Sequence, residues 1–180
     1  MIHDRHHVAD RLTRADDIWI RLIVFLGGMT SIGTEIAATN LIAPYFGEST
    51  FIWATVIGFT MAFLAVGYSI GGRVADSYPR AWLLYFATAI AAIAAGFLPF
   101  ISRPILQSSL DAFADYDVGS FYGALVGVLV MLAIPITLLG FVTPDASRLR
   151  LHHVEEAGNT SGNIYAISTV GSIAGSFLPV

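Results

Sequence analysis

Runs of about 20 apolar residues recur along this chain, with short polar joints between them. A helix needs about that length to cross the hydrocarbon core of a bilayer. The runs read as five spans, 19–41, 51–71, 82–100, 121–141 and 164–180, behind a polar tail, 1–17. The expected fold is therefore an all-α polytopic transmembrane helix bundle occupying 18–180. Composition agrees: 56% of residues are hydrophobic and 12% charged, whereas soluble domains carry about 25% charged residues. The apolar stretch after the tail is too long for a signal-peptide core, so it reads as a retained first span.

Arginine sets the orientation. All nine basic residues are Arg. Arg5, Arg11, Arg14, Arg21, Arg73, Arg80, Arg148 and Arg150 fall on one side of the five-span arrangement, and only Arg103 on the other. Cytoplasmic loops carry the excess of basic residues, so the N-terminus is expected inside and the C-terminus outside. Trp19, Tyr78 and Trp82 then stand at the inner interface, and Tyr45, Trp53 and Tyr122 at the outer, the depth that amphipathic rings prefer. The net charge of −4 argues against nucleic acid as a partner. The absence of cysteine removes disulfides, thiolate metal sites and cysteine catalysis.

The third joint, 102–120, is the longest outside segment. Pro104 suits a first helical turn. Ile105, Leu106, Leu110 and Phe113 share a face, while Asp111, Asp115 and Asp117 stay wet. The segment reads either as a short helix lying on the outer surface or as an ordinary loop.

Three G-x-x-x-G pairs stand on three spans: Gly67 with Gly71, Gly123 with Gly127, and Gly171 with Gly175. Each makes a flat strip that lets another helix backbone approach closely. The expected use is packing within the chain, with docking to another membrane protein as the alternative. Pro135 removes one backbone hydrogen bond inside the fourth span and is expected to bend it.

Glu35 is the only acidic residue within these five spans. It lies 16 residues beyond Trp19, or about 24 Å along a helix, toward the outer side. A carboxyl at that depth is costly and faces the bundle interior or a water-filled cavity. Two readings stand: a substrate-cation or proton site, and a structural carboxyl held by neighbouring Thr or Asn side chains.

The charged turn holds Gly71, Gly72, Arg73, Asp76 and Arg80. Arg73 and Asp76, three apart, are placed to pair, either latching two helices or anchoring the topology. His3, His6, His7, His152 and His153 form no preorganised metal set, so no metal is expected. No catalytic constellation and no phosphate-cradling glycine loop is found. Neither a catalytic residue nor a cofactor is expected.

Together these residues support a resemblance. Glu35, then Leu41-Ile42-Ala43-Pro44-Tyr45-Phe46-Gly47, Trp53, Gly67-Tyr68 and Gly71-Gly72-Arg73-Val74-Ala75-Asp76 come in an order that resembles the membrane domain of spermidine synthase-like membrane proteins. These are also described as fused major-facilitator/spermidine synthase proteins. The order continues with Leu139-Gly140-Phe141-Val142-Thr143-Pro144 and with the segment from Gly162 to Gly175, including Tyr165. The turn from Gly72 to Arg80 also looks like the loop between the second and third helices of major-facilitator transporters. In that family a soluble aminopropyltransferase-like domain commonly follows the membrane part, and this chain holds none. The resemblance therefore implies a bacterial inner-membrane location and carries over no catalytic residue. The last span stops without a polar flank, which is expected either of a split or shortened version of such a protein or of a chain that continues into further helices beyond Val180.

Three functions follow as expectations. The first is a non-catalytic membrane scaffold or accessory subunit, docked to a larger membrane complex or to a spermidine synthase-like partner. The second is a polyamine or cation transporter-like fragment using Glu35. The third is the membrane half of an aminopropyltransferase. The bilayer and other membrane subunits are the expected partners.

Overall fold

The computed structural model describes residues 14–114, 119–151 and 157–178. Within them the chain is all helical: α1 (Arg14–Phe46), α2 (Thr50–Ser77), α3 (Ala81–Ala112), α4 (Gly119–Arg150) and α5 (Ala157–Gly175). Four of these, α1 to α4, are long and apolar enough to cross a membrane. The chain is an integral membrane protein by that measure. The fifth helix begins seven residues before the expected 164 and ends at Gly175, and its polar first turns (Asn159, Ser161, Asn163) keep it outside that set.

Local chemistry accounts for the ends of α1 and α2. α1 starts inside the supposed polar tail because Asp16 and Asp17 occupy its first turn, where the helix dipole favours acids. It stops at Gly47, which adopts φ +76° and donates its N–H to Ala43 O at 2.8 Å. Left-handed backbone of that kind suits glycine at a helix end. Ser49 then caps α2, its hydroxyl accepting from the Ile52 N–H at 3.3 Å. Pro79 follows the end of α2, and α3 restarts within three residues.

Three expected boundaries need correction. Gly71, Gly72, Arg73 and Asp76 do not lie in a turn: α2 stays helical to Ser77, and of the five residues of the expected charged turn only Arg80 falls in the joint. The third joint contains no separate surface helix: α3 runs unbroken through Pro99 and Pro104 to Ala112. Leu106 is buried there, and Ser109 donates a 2.5 Å hydrogen bond to Gly123 O, so packing on α4 draws the segment into the bundle. Asp111 is exposed, while Asp115 and Asp117 lie outside the described residues. Likewise α4 does not stop near Phe141 but carries through Pro135 and Pro144 to Arg150. Val142 and Ala146 pack against Ile20, Val24, Leu84 and Ile164, and that apolar cluster extends the helix past Pro144.

α4 is the hub. It packs against all four other helices, while α2 and α3 meet it rather than each other. Glycine makes these approaches close. A Cβ on Gly67 would lie 2.8 Å from Gly140 Cα, and one on Gly71 would lie 2.9 Å from Phe141 Cα. Gly123 and Gly127 face Phe46 and Leu106. On the other side of the bundle, α5 rests on α1 with Gly171 against Phe25 and Gly175 against Met29, while Gly28 of α1 meets Ser168. All three glycine strips are thus filled by the chain's own helices, which gain dispersion contacts from the near approach of backbones.

Candidate functional site: a polar cleft beside Glu35

Glu35 sits on the buried strip of α1 with Ser31 one turn before it and Thr39 one turn after. Its residue exposure is 9%. Neither neighbouring hydroxyl reaches the carboxyl. Ser31 Oγ donates to Gly27 O at 3.0 Å, and Thr39 Oγ1 donates to the backbone carbonyl of Glu35 at 3.1 Å. The Glu35 Oε2 atom is buried and has no hydrogen-bond partner. The hydrogen-bonded structural carboxyl of the second sequence reading is not what forms at this oxygen. An oxygen so placed is held at a cost that a proton or a cation would relieve.

One turn below, the same strip meets a small enclosed space of about 60 Å³. Ser31, Tyr68, Thr143, Ser168 and Ser172 bring hydroxyls to it from α1, α2, α4 and α5. The volume and the polar walls suit a few waters. Ser172 Oγ donates to Gly28 O at 3.2 Å and ties α5 to α1 at this level.

Farther toward the arginine-bearing end a second cavity opens, about 270 Å³ in size. Gly72, Asp76, Pro144, Ser147, Ser161 and Tyr165 are among its walls. Both cavities lie between α2 and α5, which do not pack on one another, over a floor of α4. Tyr68 of α2 lines the narrower cavity and Tyr165 of α5 the wider one. The two cavities follow one another along this side, and the narrower reaches Ser31, one helical turn short of Glu35, which lines neither. A separate crevice of about 310 Å³ between α1 and α3 is lined by apolar and small side chains, with no ionisable group.

Ion pairs close the arginine-bearing end. Asp17 accepts from Arg21 at 2.9 Å and from Arg150 at 2.6 Å, joining α1 to α4. Asp76 pairs with Arg148 at 3.1 Å, joining α2 to α4. The Arg73–Asp76 pairing expected from their spacing does not form, because Asp76 turns to α4 and Arg73 stays exposed. Trp19, Trp53 and Trp82 are all exposed, and Arg80 precedes the first residue of α3. The five histidines include none among the described residues with an assigned structure. No group of three or more potential metal ligands occurs among the described residues.

The structure adds one residue that sequence reasoning missed. The expected fourth span ends at Phe141, which leaves Asp145 in the joint and Glu35 as the sole acid within a span. The continuation of α4 places Asp145 inside a membrane-length helix, 3% exposed, with neither carboxyl oxygen hydrogen-bonded. The helical spacing of Leu139, Val142, Ala146 and Leu149 was the signal, and Pro144 masked it.

Neither a protein-family model, nor a curated protein, nor a solved structure matches this chain.

Proposed function

We propose that this chain is the cation-handling part of a membrane transport system, with Glu35 as the group that takes up a proton or a protonated amine. The observation that carries this reading is the buried, unpartnered Oε2 of Glu35 on the strip that leads into a hydroxyl-lined cleft. Intramembrane carboxyls of this kind mark ion and proton paths. In this reading the arginine-bearing end faces the cytoplasm of a bacterial cell, following the excess of basic residues there, and the cleft is the inward route to Glu35. Reconstituted chain in sealed liposomes, loaded with a pH-sensitive dye and given radiolabelled spermidine outside, tests it. Wild type is expected to accumulate the amine or shift the dye, and Glu35→Gln to lose at least about tenfold of that flux, since the amide cannot carry a charge. Equal flux through both proteins sinks the reading.

A second reading, the membrane scaffold or accessory subunit, has one observation in its favour. Ala54, Gly58, Ala62, Ala65 and Ser69 leave small side chains exposed along α2, and a Cβ on Gly58 would meet nothing. That strip suits close approach of a further helix. The resemblance to spermidine synthase-like membrane proteins makes a synthase-like protein the natural partner in this case. Gly58→Leu should then strip the partner from the purified complex while leaving amine flux alone.

A further inference from the structure

α2 and α3 are consecutive, joined by three residues, yet they do not pack together, because each lies against α4. They part at the turn and leave a crevice of about 350 Å³, lined by Val74, Tyr78, Arg80, Trp82 and Leu83. Val74 and Leu83 supply apolar walls. Tyr78 and Trp82 are both well exposed, at 63% and 57%. They are the residue types that settle at headgroup depth. Arg80 is the one charged residue lining the crevice. Arg21, Arg148 and Arg150 each hold a carboxylate, whereas the Arg80 guanidinium has no ion pair or hydrogen bond among the described residues. Asp76, the nearest acid in sequence, is engaged with Arg148 and lines a different cavity.

We propose that this crevice binds one phospholipid, its phosphate held by Arg80 and its glycerol and upper acyl carbons seated between Tyr78, Trp82 and Leu83. A free guanidinium presents a planar fork of donors that matches phosphate oxygens two at a time. Charge complementarity selects an anionic headgroup, because no carboxylate in the crevice offers a partner for a headgroup amine. The volume suits a headgroup and glycerol, and the acyl chains remain in the bilayer. The site is independent of the cleft beside Glu35 and of any cation handled there.

Native mass spectrometry of the full chain, released from micelles containing equal amounts of phosphatidylglycerol and phosphatidylcholine, tests the assignment. Wild type is expected to retain one phosphatidylglycerol in preference to phosphatidylcholine. Arg80→Gln is expected to lower that retention about tenfold, the scale of one charge-assisted contact. Arg73→Gln, an exposed arginine outside the crevice, should leave it unchanged. Leu83→Trp should also expel the lipid, by filling the crevice with Arg80 intact. Equal retention by wild type and Arg80→Gln overturns the proposal. So does an equal loss from Arg73→Gln, which would mark diffuse surface charge, and so does a lipid that survives Leu83→Trp. Displacement by millimolar inorganic phosphate would show a generic phosphate site and overturn the lipid assignment.

Discussion

Glu35 Oε2 and both carboxyl oxygens of Asp145 are buried without a donor, and for Glu35 the reason is local. On α1 the nearby hydroxyls of Ser31 and Thr39 are already committed to backbone carbonyls of their own helix. Such back-bonding is the habit of Ser and Thr within helices. Removing an unsatisfied buried polar group relieves its desolvation cost, about 1–3 kcal/mol. Glu35→Leu and Asp145→Leu are therefore expected to hold or raise the resistance of the folded chain to denaturant in mixed micelles. A steep loss in either variant would mean that the carboxyl has partners in the membrane. Glycine at the α2–α4 contact should behave in the opposite way. A Cβ at position 67 meets Thr137 O and the Gly140 backbone, neither of which can swing aside. Gly67→Ala is expected to destabilise by about 1–3 kcal/mol, as overpacking does. Gly58→Ala, in open space, should be neutral or gain up to about 1 kcal/mol from helix propensity. Parallel unfolding curves for the two glycine variants would remove the close-packing argument.

Four of the five helices, α1 to α4, were legible in the sequence as apolar runs, while several of their ends depended on what they pack against. Pro104 reads as the first turn of a separate helix, and Pro144 lies beyond the expected end of the fourth span at Phe141; proline lacks an N–H and disfavours helix in the residue before it. Tertiary burial overrides that local penalty: Leu106 and Ala146 are fully buried beyond or beside those prolines. The ends that chemistry closes locally, Gly47 and Ser49, fall near the expected joint after Leu41. Cross-helix pairing was not legible at all. Spacing alone pointed Asp76 at Arg73, and only the fold brings Arg148 beside it. The same holds for the cleft, whose walls come from four helices. The two cross-helix ion pairs should differ in strength. Arg150 is 14% exposed where it meets Asp17, whereas Asp76 is 75% exposed where it meets Arg148. Exposed pairs contribute about 0–1 kcal/mol and are screened by salt. Asp76→Asn is expected to shift the denaturation midpoint little, and less still at high salt. Asp17→Asn strands a largely buried guanidinium and should cost more, about 3 kcal/mol, the lower end of what a broken buried pair loses. Identical, fully salt-sensitive losses in both variants would place the two pairs in the same solvent-exposed class.

At the scale of the whole molecule the helices divide into two packed groups, α1 with α5 and α2 with α3 on α4, and the α1–α4 contact joins them. The polar cleft runs along the side where α5 and α2 fail to meet, so its openness follows from the packing of the groups rather than from any one side chain. The absence of native cysteine makes this testable by single-thiol labelling in a background that needs no other change. Ser161 lines the wider cavity, Ser168 the narrower one, and Val170 is exposed on the outer flank of α5. In proteoliposomes, a membrane-impermeant, water-soluble thiol reagent should modify Ser161→Cys quickly from the arginine-bearing side, Ser168→Cys slowly, and Val170→Cys hardly at all, because lipid rather than water surrounds it. Tyr165 lines the wider cavity and Tyr68 the narrower one. Truncating Tyr165 to Ala in the Ser168→Cys background should therefore accelerate labelling by about an order of magnitude if the ring restricts the passage, a loss of gating on the scale of 1.4 kcal/mol. Ser168→Cys that labels as fast as Ser161→Cys with Tyr165 intact would show one open trough. Ser168→Cys that stays silent after the truncation would show that the two cavities are not joined, and the inward route to Glu35 would have to be abandoned.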